Sequence, residues 1–221
     1  MQRGRMMGFM LALLLTKGGP MVWVLLLAGA VAAVVFIERR WHYHKVRINT
    51  TEFIGGLKNV LRQRNIVEAI SICDATPGPT ARLVKTAILN RSHSRDVIKE
   101  SLERAGATEV AYLEMRLGLL ATFGKIAPLL GLLGTVLGFI KVFMALESLG
   151  AYANVAVLSG GILESLLSTA MGLAVGIPCY AGYNYLVGEL GSLVLEMEKT
   201  SVDALQLVAD TGTENAKAPS A

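Results

Sequence analysis

Three apolar runs stand out along the chain, separated by stretches of very different character. Residues 21–37 form seventeen uncharged positions, near the lower limit for a helix crossing about 30 Å of hydrocarbon. The Gly18-Gly19-Pro20 breaker precedes them and Glu38-Arg39-Arg40-Trp41-His42-Tyr43-His44-Lys45 follows, with the charges and aromatic rings of a membrane interface. The second run covers 126–146 and the third 155–187, joined by the short turn 147–154. The third is longer than a bilayer requires and is expected to continue as one helix through the charged segment 188–209. Residues 210–221 read as a disordered tail. At the start, 6–15 is apolar behind Arg3 and Arg5 but too short to span, and no small-residue cleavage site follows. The segment 1–20 is therefore expected to stay on the chain as an outward-facing, interfacial piece.

Between the first two runs, residues 38–125 change period. Phe53, Leu57, Val60 and Leu61 recur at helical spacing, and so do Ile66, Ala69, Ile70 and Cys73. Asp74-Ala75-Thr76-Pro77-Gly78-Pro79 is a turn, a helix follows over about 80–90, and Arg91-Ser92-His93-Ser94 ends it. Ser94 is placed to cap the next helix, which starts near Arg95 and meets no strong breaker before Pro128. The fold class is an all-α membrane protein of three transmembrane helices, the second and third extending into a helical cytoplasmic domain.

Composition agrees with this division. Charged residues make up only 17% of the 221, mean hydropathy is +0.51, and most charges crowd between the first two spans. The net charge of +4 reflects that segment: 38–125 carries fifteen Lys and Arg, the 147–154 turn none. By the positive-inside rule, 38–125 and the C-terminus are cytoplasmic and the N-terminus lies outside. A basic flank of this origin argues against nucleic-acid binding; its partner is the lipid surface. Cys73 and Cys179 fall in different environments and are not expected to pair. His42 and His44 read as interfacial anchors, because two ligands do not make a zinc site. The chain shows no dinucleotide or phosphate loop and no Ser/His/Asp set, so no residue supports an enzyme.

Chemistry concentrates in the third span. Glu164 is its single ionisable residue, near the middle of a helix, where a carboxylate costs about 2.5–3.5 kcal/mol on insertion scales. Ser165, Ser168 and Thr169 lie within about 140° of it around the helix. Such an arc is better explained as the wall of a wet path or a polar helix interface than as isolated hydroxyls, each satisfied by its own helix. A structural pair with Lys141 is the plainer alternative. Span two adds Thr135 in an apolar run. Gly131, Gly134 and Gly138, with Gly172 and Gly176, let helices approach closely, and Pro128 and Pro178 adjust helix geometry.

Ala127-Pro128-Leu129-Leu130-Gly131-Leu132-Leu133-Gly134-Thr135-Val136-Leu137-Gly138 resembles the APxxGLxGTVxG signature of the MotA/TolQ/ExbB proton-channel family. Gly161 to Leu173 is similar to its second signature, and Ile177-Pro178 with Tyr183-Asn184 matches the segment that closes it. Three spans rather than four favour the ExbB/TolQ branch. The resemblance implies a homopentamer around a dimer of a single-span ExbD/TolR-like partner, whose aspartate is protonated and deprotonated in the central pore. It implies a further TonB- or TolA-like protein, no cofactor beyond the translocated protons, and a bacterial inner membrane. Thr135, Glu164 and Thr169 match the family's pathway residues, which makes the implied function the conversion of proton motive force into work on the envelope. Cys179 and Lys141 depart from the family pattern. A passive scaffold and a small-solute transporter subunit are the alternatives; three spans without a visible repeat speak against the second.

Overall fold

A computed structural model describes residues 19–63, 65–150 and 155–217, with side chains undescribed at 155–157 and 210–217. Seven helices cover them: α1 Gly19–Val46, α2 Thr50–Arg62, α3 Ile66–Ala75, α4 Pro79–Leu89, α5 Arg95–Glu114, α6 Leu117–Leu149 and α7 Val155–Lys217. Three helical stretches are long and apolar enough to cross a membrane: Gly19–Val46, Arg95–Leu149 and Leu158–Ala209. The protein is an all-α, multi-pass membrane protein. The chain divides into a span unit (19–38, 116–150, 155–185) and a charged unit (39–115 and 186–217).

In the span unit, α1 starts at Gly19 with φ +63, a conformation that favours glycine, and Pro20 occupies the first turn, where its missing N–H costs nothing. The chain does not run helically from Arg95 into span two. It breaks at Met115–Arg116, where Arg116 takes φ 72. Arg116 Nη1 donates to both carboxylate oxygens of Glu38, at 2.5 and 2.7 Å, a fork that holds the strained residue in place. Along α6 the buried positions are Leu117, Leu120, Gly124, Ala127, Gly131, Gly134, Gly138 and Val142. Their spacing of three and four is that of a coiled-coil seam. Pro128 and Pro178 lie inside α6 and α7 without ending either.

The charged unit packs by conventional side-chain burial. Leu57, Leu61, Ala69, Cys73, Leu83, Val84, Ala87, Ile88, Ile98, Leu102 and Leu113 are all buried. Asn65 caps α3: its Oδ1 accepts from the Glu68 backbone N–H at 3.3 Å while its Nδ2 donates to the Glu68 carboxylate at 2.6 Å. Ser94 sits at the N-cap of α5, but its hydroxyl makes no cap bond. Tyr43 is buried and donates to the Leu113 carbonyl at 2.8 Å; burial pushes its phenol up to about 12, against the nearby Arg39 guanidinium. Burial, reinforced by Asp74, pushes the Cys73 thiol up to about 11. Arg47 pairs with Glu189 and Glu196 on α7. His42 packs edge-on against Tyr112, with ring centres 6.2 Å apart. Both cysteines are free and buried.

Two further expectations about helix ends need correction. Helix α6 continues to Leu149, so Glu147 and Ser148 are helical rather than in a turn, and 151–154 lie outside the described residues. Helix α7 continues through Lys217: between 210 and 217 the chain has no proline, and Ala216 and Lys217 are good helix formers. The expected interfacial helix 6–15 lies outside the described residues, as do 218–221.

Candidate functional site

The crossing of α6 and α7 is built from glycine. A Cβ on Gly172 would lie 2.7 Å from the Ala127 carbonyl oxygen and 2.8 Å from Gly131 Cα, so the two backbones touch there. One turn to either side, side chains fill the notches that glycine leaves. Ser168 seats against Gly134, Ser165 against Gly138, and the Pro128 ring against Gly176. Gly131, Gly134, Gly138, Gly172 and Gly176 are thus close-approach positions, where small residues substitute for the hydrophobic drive that lipid does not supply.

Two threonines are brought together inside this crossing. The Thr135 and Thr169 hydroxyls are hydrogen-bonded to each other. Further acceptors lie within reach: the Gly131 and Ser165 carbonyls for Thr135, at 3.2 and 3.3 Å, and the Gly131 carbonyl for Thr169, at 3.4 Å. A hydroxyl carries one proton and two lone pairs, so these bonds are alternatives between which the pair can switch. Both threonines are half-buried.

Ser165 and Ser168 share the helical arc, as their spacing predicts, but they turn into the α6 interface. Ser165 is 0% and Ser168 1% exposed. Ser165 Oγ returns to its own Gly161 carbonyl at 2.9 Å, whereas Ser168 Oγ is buried with no hydrogen-bond partner. Within one subunit they are packing elements rather than the wall of an open path.

Glu164 is paired. Lys141 Nζ donates to its Oε1 at 2.7 Å, with the carboxylate side chain 25% and the lysine 55% exposed. The same carboxyl lies against Gly19, the first residue of α1. Glu164 therefore lies level with the start of α1, at the opposite end of that helix's apolar run from Glu38. This neighbour on another span was not visible from the sequence of α7 alone. Sequence reasoning also passed over Gly124, whose Cβ would come 3.1 Å from the Tyr180 backbone. The signal was available in the three-four spacing from Leu117 to Val142.

Apolar spans crossing on glycine, a hydroxyl pair within the crossing and an ion pair at one end define a multi-pass membrane protein with polar chemistry inside its spans. Residues 75–199 match the MotA/TolQ/ExbB proton channel family, and the chain belongs to that family, in its ExbB/TolQ branch. It is 27% identical over 183 residues to a biopolymer transport protein ExbB homolog of Methanothermobacter thermautotrophicus, covering 82% of this chain and 64% of that protein. It is 28% identical over 201 residues to the biopolymer transport protein ExbB of Salmonella typhimurium, covering 83% and 78%. Over 78 residues it is 41% identical to the Tol-Pal system protein TolQ of Haemophilus influenzae, 35% of this chain and 34% of that one. The chain thus spans less than two thirds of the length of the Methanothermobacter relative. Its class is a proton-channel-type subunit of an envelope complex.

Proposed function

We infer that this chain is the proton-conducting subunit of a motor that converts proton motive force into work on the cell envelope. The observation that carries the reading is the Thr135–Thr169 hydroxyl pair, bonded across two apolar spans with carbonyl acceptors in reach of both. A hydroxyl that can exchange acceptors passes a proton along without holding charge, which is what a path through hydrocarbon needs. The proton carrier that binds and releases is then an acid on a partner helix. The reading takes that partner to be an ExbD/TolR-like single-span dimer inside a homopentamer of this chain, with a TonB- or TolA-like protein receiving the work. It places the complex in the bacterial inner membrane, with the N-terminus periplasmic and the C-terminus cytoplasmic, in keeping with the Lys and Arg of 38–125. One proton crossing 100 mV releases about 2.3 kcal/mol, so a few protons per step suffice to break and remake helix contacts.

The test is proton flux in vesicles holding the full complex with its single-span partner under an imposed potential. Thr169→Val keeps the shape and removes the hydroxyl; it is expected to reduce flux to the level of empty vesicles while the complex still assembles. Unchanged flux in that variant would refute the hydroxyl path.

A further inference from the structure

The Lys141–Glu164 pair joins more than two side chains. Lys141 lies on α6, Glu164 on α7, and the carboxyl also abuts Gly19 where α1 begins. Among the described residues the charged neighbours around it are few. On α7 the residues one turn away are Gly160, Gly161, Leu167 and Ser168, and α1 presents the backbone of its first turn, whose N–H groups carry the positive end of the helix dipole. Among the described residues Lys141 is the charged side chain facing Glu164. A glutamate has three rotatable bonds, and an ion pair with Lys141 narrows the rotamers it samples. The lysine is itself 55% exposed, so it holds the carboxylate from the open side rather than sealing it in.

We propose that Lys141 is a positioning residue for proton passage: it fixes the Glu164 carboxylate beside the start of span one, on the outer side of the polar crossing. The proposal rests on the reading of the preceding section. Thr169 lies five residues, about 7.5 Å, further along α7, so a carboxylate held at this height stands within one and a half helical turns of the hydroxyl pair. The glycine crossing assembles α6 on α7 without it, which separates positioning from folding.

Flux per assembled complex, in vesicles containing the partner, distinguishes the cases. Lys141→Gln is expected to assemble and to lose about two- to fivefold in flux, the population shift of releasing a partly exposed ion pair. Lys141→Arg, which keeps the charge, is expected to restore it, a rescue that bulk packing would not give. Native flux in Lys141→Gln overturns the proposal, and so does failure of Lys141→Arg to recover. If Lys141→Gln does not assemble, Lys141→Met keeps the alkyl stem without charge; failure of both to assemble makes the lysine a folding element and also overturns it. Glu164→Gln is the independent control: native flux there removes the carboxylate from the path and sinks the parent reading, whereas lost flux there with native flux in Lys141→Gln sinks this inference alone.

Discussion

The two units of this chain solve the same problem, holding helices together, with opposite materials. In the charged unit the contacts are large apolar side chains: Leu57, Leu83, Ile88, Leu102 and Leu113 are buried, and Asn65 and surface ion pairs finish the edges. In the span unit the closest contacts involve almost no side chain, as with Gly131 on Gly172, Ser168 in the notch of Gly134 and Ser165 in that of Gly138. Many large side chains of α6, among them Leu129, Leu132, Val136, Phe143 and Met144, point outward, although Leu117, Leu120 and Val142 are buried. Water makes burial of apolar surface favourable; lipid does not, and dispersion and hydrogen bonds between close backbones take over. Inside and outside are exchanged between the units because the solvent is.

Truncating a side chain should therefore hurt most in the charged unit. Ile88 is fully buried, and Ile88→Ala is expected to cost about 3 kcal/mol, the transfer of three carbons plus the cavity left. Thermal unfolding in detergent, followed by helical signal, reads this as a lowered midpoint. An unshifted midpoint would mean that the charged unit is not held by its core. Adding a methyl should hurt most in the span unit. Gly172→Ala places a Cβ against two backbones that cannot yield separately, at an expected cost of about 2 kcal/mol, seen as loss of assembled complex on size exclusion. The same change in the charged unit has the opposite sign. Gly106 lies mid-helix in α5, where a Cβ would meet only Leu83 Cδ2 at 3.9 Å, so Gly106→Ala should stabilise by up to about 1 kcal/mol through helix propensity. Equal effects at Gly172 and Gly106 would erase the contrast between the units.

These two glycines also show how far the sequence could be read. Gly172 belonged to a GxxxG pair in an apolar run, and its role follows from spacing. The Thr135 and Thr169 pairing was legible to the extent that both lay in apolar spans at polar faces. The break at Arg116 was not, because a left-handed arginine leaves no compositional mark and its compensation comes from Glu38, seventy-eight residues away. The place of Glu164 beside the start of span one was hidden for the same reason, since its neighbour Gly19 belongs to another helix. What was missed depended on contacts distant in sequence; what was found depended on period and composition.

A separate effect comes from pH, which can reach the charged unit through the titratable groups it buries. Cys73 is held up to about 11 by burial and by Asp74, against an ordinary value near 9. The folded state thus binds the thiol proton more tightly than the unfolded chain does. Its contribution is complete below pH 9 and is lost as pH rises from 9 towards 11. Tyr43, raised from 10 to about 12 chiefly by burial, adds a second loss that begins one unit higher. Between pH 8 and 10 the decline in unfolding midpoint should therefore belong mainly to Cys73, and Cys73→Ala, a small residue in a small site, should flatten it while Tyr43→Phe leaves it in place. At neutral pH the same burial keeps the group a protonated thiol, so a maleimide should label Cys73 only as the unit opens. Parallel pH curves for the native protein and Cys73→Ala, or rapid labelling of the folded chain, would show that water reaches this core, and that the charged unit is looser than its buried leucines suggest.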